Sequence, residues 1–287
     1  MSAPQRPPRL GQHFLADPRL LRRIAATLDP TPSDVVLEIG PGKGGLTDVL
    51  APAVGRVIAI ERDRRLAYEC GVRNAECGVT NVEIVLGDAL KLDWHVLLGS
   101  HVAVPHSAFR TPHWKIVGNI PYNITSPLIA KALTPPLPER IVFLVQREVA
   151  ERVAARPGTK PYGALSVGVQ ALARVERLFT IGRGAFRPPP RVESAVLRLT
   201  PLALPLVAPE EVAPLRTFVT ACFTRRRKQL ANAVLVAVAG GVGSGGAGSS
   251  RARVVEGLRA LGLDPAARPE TLEPGMFVRL LRWSRQL

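Results

Sequence analysis

Residues 35–47 read VVLEIGPGKGGLT: a short, β-branched apolar run that stops at a glycine-rich turn and resumes as an apolar stretch of helical character. The run is near-continuous rather than alternating, the pattern of a strand covered on both faces. Gly40, Gly42, Gly44 and Gly45 permit a tight strand-to-helix turn and let a ligand approach the backbone with no Cβ in the way. Runs of the same kind follow at 57–60, 82–86, 115–117 and 141–145, with helix-length stretches such as 46–50 and 64–76 between them. Alternating β and α units predict an α/β, Rossmann-like fold: a mostly parallel twisted sheet with helices on both faces.

The second half changes character. Residues 147–156 read as a helix, a proline-rich loop occupies 186–190, and VESAVLRL at 192–199 reads as a strand. From about Pro201 the apolar period becomes helical, with Leu215, Phe218, Val219, Cys222 and Phe223 at i, i+3, i+4, i+7 and i+8. The expected division is a larger domain over 1–203 and a small C-terminal all-helical domain over 204–287. Within it, GGVGSGGAGSS at 240–250 is a linker with nothing to bury, and 99–113 is a polar loop inside the first domain.

Composition narrows the function. In 287 residues, a hydrophobic content of 46% is ample for a core. No run of 18 apolar residues and no apolar segment behind the basic N-terminus occurs, so the cytoplasm is expected rather than a membrane or secretion. Cys70, Cys77 and Cys222 form an odd set without C-x-x-C spacing, which reads as small apolar fillers rather than disulfides or zinc ligands. His95, His101, His106 and His113 match no metal-binding template, and no metal is expected. Lys and Arg total 38 against 23 Asp and Glu, a net charge of +15 carried mostly by Arg. That excess suits a polyanion, because guanidinium forks match phosphate oxygens; the plainer alternative is a compositional preference for Arg.

In an open parallel sheet the ligand sits beyond the carboxyl ends of the strands, so the residue after each strand is the one to read. Those residues form a set: the glycine turn, Glu61, Asp88 in GDAL, and Asn119 in GNIPYNITSP at 118–127. Gly40, Gly42 and Gly45 also fit the dinucleotide pattern, and Glu61 stands where a carboxylate accepts from ribose hydroxyls, so NAD or another adenosine ligand fits equally well up to this point. Asp88 suits an exocyclic adenine amine. The fourth strand end separates the readings, because hydride transfer has no use for Asn-Pro-aromatic there. An exocyclic amine as nucleophile does: the Asn119 amide oxygen and the Ile120 carbonyl would accept from its two N–H bonds, Pro121 would hold the backbone, and Tyr122 would stack on the base. TRRRK at 224–228 is expected on the amphipathic helix of the small domain, and Arg225, Arg226, Arg227 and Lys228 read as RNA phosphate contacts or as a solvated face.

Taken in order, GQHFL at 11–15, EIGPGKGGLT, Glu61, GDAL, NIPYNITSP, the segment from VQREVAERV to YGALSV, AFRPPPRVESAV and FTRRRKQL resemble the KsgA-type (RsmA) 16S ribosomal RNA adenine dimethyltransferases. The resemblance runs from about residue 10 to 233 and more weakly beyond. It implies a class I methyltransferase that uses S-adenosyl-L-methionine to dimethylate N6 of two adjacent adenosines in the 3′-terminal hairpin of 16S rRNA, on a precursor of the 30S subunit. It also implies cofactor contacts from His13 and Leu15 of the segment 10–16 and from Gly40, Gly42, Glu61, Asp88 and Asn119. Phe186 of AFRPPP would stack on or wall the adenine pocket opposite Tyr122, and RPPPR at 187–191 would stiffen that wall. A monomer is expected. Position 13 is often Asn in the family, and His is a departure. The nearest alternatives are a 23S rRNA adenine methyltransferase of the macrolide-resistance type and a non-catalytic RNA- or DNA-binding factor on the same fold.

Overall fold

The computed structural model describes residues 12–99, 114–239 and 250–286. Five strands, β2 (Val35–Ile39), β3 (Arg56–Glu61), β4 (Val82–Leu86), β5 (Trp114–Asn119) and β6 (Arg140–Gln146), run parallel. Two more, β7 (Ala173–Ile181) and β9 (Ser194–Pro201), close the sheet antiparallel, in the order β4-β3-β2-β5-β6-β9-β7. The order reverses between β2 and β5, and their carboxyl ends leave the crevice that such sheets use for ligands. Gly118 makes the close approach possible, since a Cβ there would stand 2.6 Å from the Ile39 carbonyl oxygen.

Alternate residues of each central strand face opposite layers, as the period of two requires. Val36, Val57, Ala59, Val117, Val142 and Leu144 share a core with Ile24 of α1 (Pro18–Thr27) and with Leu46 and Leu50 of α2 (Gly45–Leu50). Leu37, Ile39, Ile58, Ile60, Ile116 and Phe143 face the other way, onto α5 (Thr125–Ala132), α6 (Arg147–Val153) and α7 (Ala164–Gln170). The same apolar cluster continues into α8 (Val212–Thr224), α9 (Leu230–Ala237), α10 (Arg251–Ala260) and α11 (Pro274–Ser284) through Phe218, Val234, Leu258 and Phe277. Each such fully buried side chain stabilises the fold by about 1.5–3 kcal/mol before entropy is counted.

Several expectations are corrected. Strand β4 is not covered on both faces: it is an edge strand, and Leu86 is 51% exposed. Cys70 and Cys222 are buried as apolar fillers, but Cys77 is exposed at the end of α3 (Arg64–Glu76) and fills nothing. The run 225–228 is not helical, because α8 ends at Thr224 and these residues form the turn that sends α9 back along it. The loop 99–113, apart from Gly99, the linker 240–250, apart from Ser250, and His101, His106 and His113 lie outside the described residues. His95 is described, and its Nε2 lies 3.0 Å from the Pro136 carbonyl oxygen.

The amino-terminal edge of the sheet is closed by charge. The Lys115 ammonium, on β5 and only 2% exposed, donates to Asp34 at 2.8 Å and to the Asp29 carbonyl at 2.5 Å. Arg140 of β6 reaches the Asp29 carboxylate at 2.8 Å, and its guanidinium holds that carboxyl below its ordinary value.

Candidate active site

At the opposite edge the chain leaves β2 through Gly40 (φ +70°) and Gly42 (φ +58°), backbone conformations that a side chain resists. A Cβ at Gly42 would also strike the Phe14 ring at 2.8 Å. Glu61, at the end of β3 and 5% exposed, accepts from Gly42 N–H at 3.0 Å and from Asp63 N–H at 2.9 Å. A carboxylate offers about four acceptor positions, so two backbone donors fix its plane without exhausting it. Asp88, just past β4, caps Leu90 N–H at 2.9 Å through one oxygen, while its other oxygen faces Arg62 at 3.9 Å. Gly40, Glu61 and Asp88, with Ile39, Ile60 and Ala89, line a cavity of about 470 Å³. That size, with an apolar floor and few aimed acceptors, suits a nucleoside-bearing cofactor.

Asn119 ends β5 beside this cavity, in a narrow pocket that shares Gly40, Glu61 and Tyr122 with it. Its Nδ2 donates to the His13 carbonyl at 2.8 Å, which turns the amide so that Oδ1 is left as the acceptor on the other side. Ile120 N–H is tied to the Leu144 carbonyl at 3.0 Å, holding the next peptide at the edge, and Pro121 leads into a single 3₁₀ turn at Tyr122–Ile124. The Tyr122 hydroxyl bonds Ser194 at 2.7 Å. Burial pushes its phenol above the ordinary tyrosine value, so Tyr122 presents a ring and not a proton carrier. The His13 ring stacks on it, with centroids 5.8 Å apart and planes 30° apart, and its Nδ1 lies 2.8 Å from the Pro188 carbonyl oxygen.

Most of the predicted cofactor and adenine residues line adjoining cavities at this edge. Phe186 is 0% exposed: β8 (Phe186–Arg187) pairs antiparallel with β1 (Phe14–Leu15), and the ring faces the core beneath instead of walling a pocket. Its segment still matters, since β1 pairing places His13 and Phe14 over the glycine turn. Arg226 is committed to an ion pair with Glu270 and donates to the Lys160 carbonyl at 2.7 Å. Arg225, Arg227 and Lys228 are exposed on the turn. Leu15 lines a second, smaller cavity beside Phe14, Gly40 and Asn119.

Two residues escaped the sequence reading. Phe14 lies between His13 and Leu15 and packs on Gly42; its signal was its place in the same pentapeptide. Glu38 is an acid inside the apolar run of β2, which was itself the signal. It is 1% exposed, accepts from Thr47 Oγ1 at 2.6 Å, and lines the smaller cavity; burial raises its pKa to about 7, partly opposed by that hydrogen bond.

Such a sheet, with a glycine turn, an acid after each of the next two strands and Asn-Pro-aromatic after the fourth, defines a class I S-adenosylmethionine-dependent methyltransferase. The family profile described as ribosomal RNA adenine dimethylase matches residues 5–242. The chain belongs to that family, whose members are S-adenosylmethionine-dependent enzymes acting on ribosomal RNA. It is 40% identical over 274 residues to a ribosomal RNA small subunit methyltransferase A of Geobacter metallireducens, covering 95% of this chain and 93% of that one. It is 41% identical to the protein of the same name from Syntrophotalea carbinolica, over 95% and 94% of the two chains. Among solved structures it resembles a dimethyladenosine transferase from Plasmodium falciparum (TM-score 0.73, 29% identity, 93% and 96% covered). It also resembles the 23S rRNA methyltransferase ErmE (TM-score 0.65, 29% identity, 94% and 98% covered).

Proposed function

We propose that this chain dimethylates N6 of two adjacent adenosines in the 3′-terminal hairpin of 16S rRNA, acting in the cytoplasm as a monomer on a precursor of the 30S subunit. The observation that carries the chemistry is the Asn119 amide, locked by its bond to the His13 carbonyl with Oδ1 left to accept. Bound S-adenosylmethionine supplies an electrophilic methyl group. Glu61 would accept from its ribose and Asp88 from its adenine amine, and the glycine turn would leave room for the rest. On the RNA side, Asn119 Oδ1 and the Ile120 carbonyl accept from the target amine and orient its lone pair; Tyr122 gives a face for the extruded base. Because the same nitrogen reacts twice, the pocket admits N6-methyladenosine as well.

The small-subunit assignment is supported by relatives about 40% identical over nearly the whole chain, against 29% for the 23S enzyme. No helix among the described residues is long and apolar enough to cross a membrane. Residues 204–287 are proposed as the RNA-facing domain, with Arg225, Arg227 and Lys228 as its phosphate contacts.

The test is incubation of unmethylated 30S particles and of 50S particles with labelled cofactor, followed by mapping of modified nucleosides. The expected product is N6,N6-dimethyladenosine at two adjacent positions near the 3′ end of 16S rRNA. Label confined to 23S rRNA, or absent from both, overturns the reading.

A further inference from the structure

Away from the cavities described above, α5, α6, α7 and α8 line a cleft of about 290 Å³ that the chemistry above does not use. Ser126, Arg152, Gly168, Arg216 and Thr220 are among its walls, and no carboxylate is. Arginines held in partly buried positions elsewhere take an acid: Arg140 has Asp29, Arg198 has Glu176, and Arg226 has Glu270. Arg216 is also partly buried, yet neither it nor the exposed Arg152 is in an ion pair among the described residues.

Arg216 donates only to the Leu133 carbonyl, at 3.2 Å, where α5 ends. A guanidinium has five N–H donors, so this cap uses a small part of its capacity. None of its other nitrogens is sealed away without a partner, so they open on the cleft it lines. Burial pulls its pKa below the ordinary arginine value, and no carboxylate lines the cleft to oppose that.

We propose that this cleft binds a backbone phosphate of the RNA strand that carries the target adenosine. The inference rests on the RNA-methylating reading above and adds a contact to it. Ser126 lies four residues beyond Tyr122, on the helix that leaves the active-site turn. A strand that extrudes one base against Tyr122 carries its neighbouring phosphates across this helix. Two guanidinium groups with hydroxyls beside them match a phosphodiester, whose oxygens take forked N–H donors.

The test compares Arg216→Gln, Arg152→Gln and Arg216→Lys with wild type on whichever ribosomal RNA the wild-type chain methylates. RNA affinity is read against salt, cofactor affinity by calorimetry, and folding by thermal unfolding. Expected for either Gln variant is RNA binding weaker by about five- to tenfold and a log-log salt slope shallower by about one, the signature of one lost phosphate contact. Cofactor affinity stays unchanged, and Arg216→Lys recovers most of the loss. An unchanged slope with a lowered melting temperature makes Arg216 a helix cap only and overturns the proposal. So does tight binding of inorganic phosphate to the RNA-free wild type, if RNA affinity is the same in Arg216→Gln, because the cleft is then a small-anion site. Failure of the substrate reading shows in the wild-type product alone, and failure of the phosphate site shows only in the variants.

Discussion

The two edges of the parallel sheet carry similar residues and do opposite things. At the amino-terminal edge, Lys115, Asp34, Asp29 and Arg140 are paired with one another at 2.8 Å, and the Lys115–Asp34 pair is almost wholly buried. At the carboxyl edge, Glu61, Asp88 and Asn119 are each anchored by backbone groups or a neighbour and line two adjoining cavities, with acceptor capacity left over. Burial of a polar side chain is therefore no mark of a site by itself. What marks the site is anchoring that leaves capacity over.

That contrast predicts where substitutions cost stability and where they cost chemistry. Lys115→Met removes one member of a buried pair and strands the Asp34 carboxylate, a loss of about 3–5 kcal/mol. Denaturant unfolding checks it, and methyl transfer per folded molecule at low temperature stays near wild type. A large loss of specific activity in the folded protein would erase the distinction between the edges.

Glu38 lies between the two cases, buried without a cation. Its folded pKa of about 7 stands above the unfolded value near 4.5, so the unfolded chain releases the proton first. Stability therefore falls as pH rises from about 4.5 to 7 and is level above that, the whole penalty being about 3 kcal/mol. Glu38→Gln keeps an oxygen for Thr47 Oγ1 and has no charge to bury. Its melting temperature gains on wild type between pH 5 and pH 8; a constant difference across that range would contradict the assignment.

Glu61→Gln probes the carboxyl edge. Both carboxylate oxygens accept from backbone N–H groups, so an amide must turn its own N–H against one of them. Loss of charge-assisted acceptance, worth about 1.5–3 kcal/mol, weakens cofactor binding by an order of magnitude or more. Calorimetric titration with S-adenosylmethionine measures it. The smallest effect falls on the basic turn: with Arg225 and Arg227 both changed to Gln, RNA affinity drops by about tenfold and the salt slope shallows by one to two. Arg226→Gln, by contrast, lowers the melting temperature, because it breaks the pair with Glu270.

Much of this was legible in the sequence because local pattern encodes it. Apolar runs ending at Gly40, Glu61, Asp88 and Asn119 announce strand ends, and a parallel sheet collects strand ends on one edge. What stayed hidden depends on distant partners. The His13 carbonyl that turns Asn119 is 106 residues away, and the pairing of β1 with β8 joins segments more than 170 residues apart. For the same reason Phe186 looked like a pocket wall until β8 turned it inward, and Arg226 looked free until Glu270 was found beside it. The edge position of β4 is equally non-local: nothing in VEIVL says which neighbour is missing.

The most direct test is Asn119→Ala, assayed together for folding and for methyl transfer from tritiated cofactor to unmethylated 30S particles. The predicted result is a melting temperature close to wild type, RNA affinity nearly unchanged, and transfer reduced by about 100-fold or more through lost orientation of the amine. Transfer at the wild-type rate, or a stability loss as large as that of Lys115→Met, would contradict the claim that the carboxyl edge is held ready for chemistry.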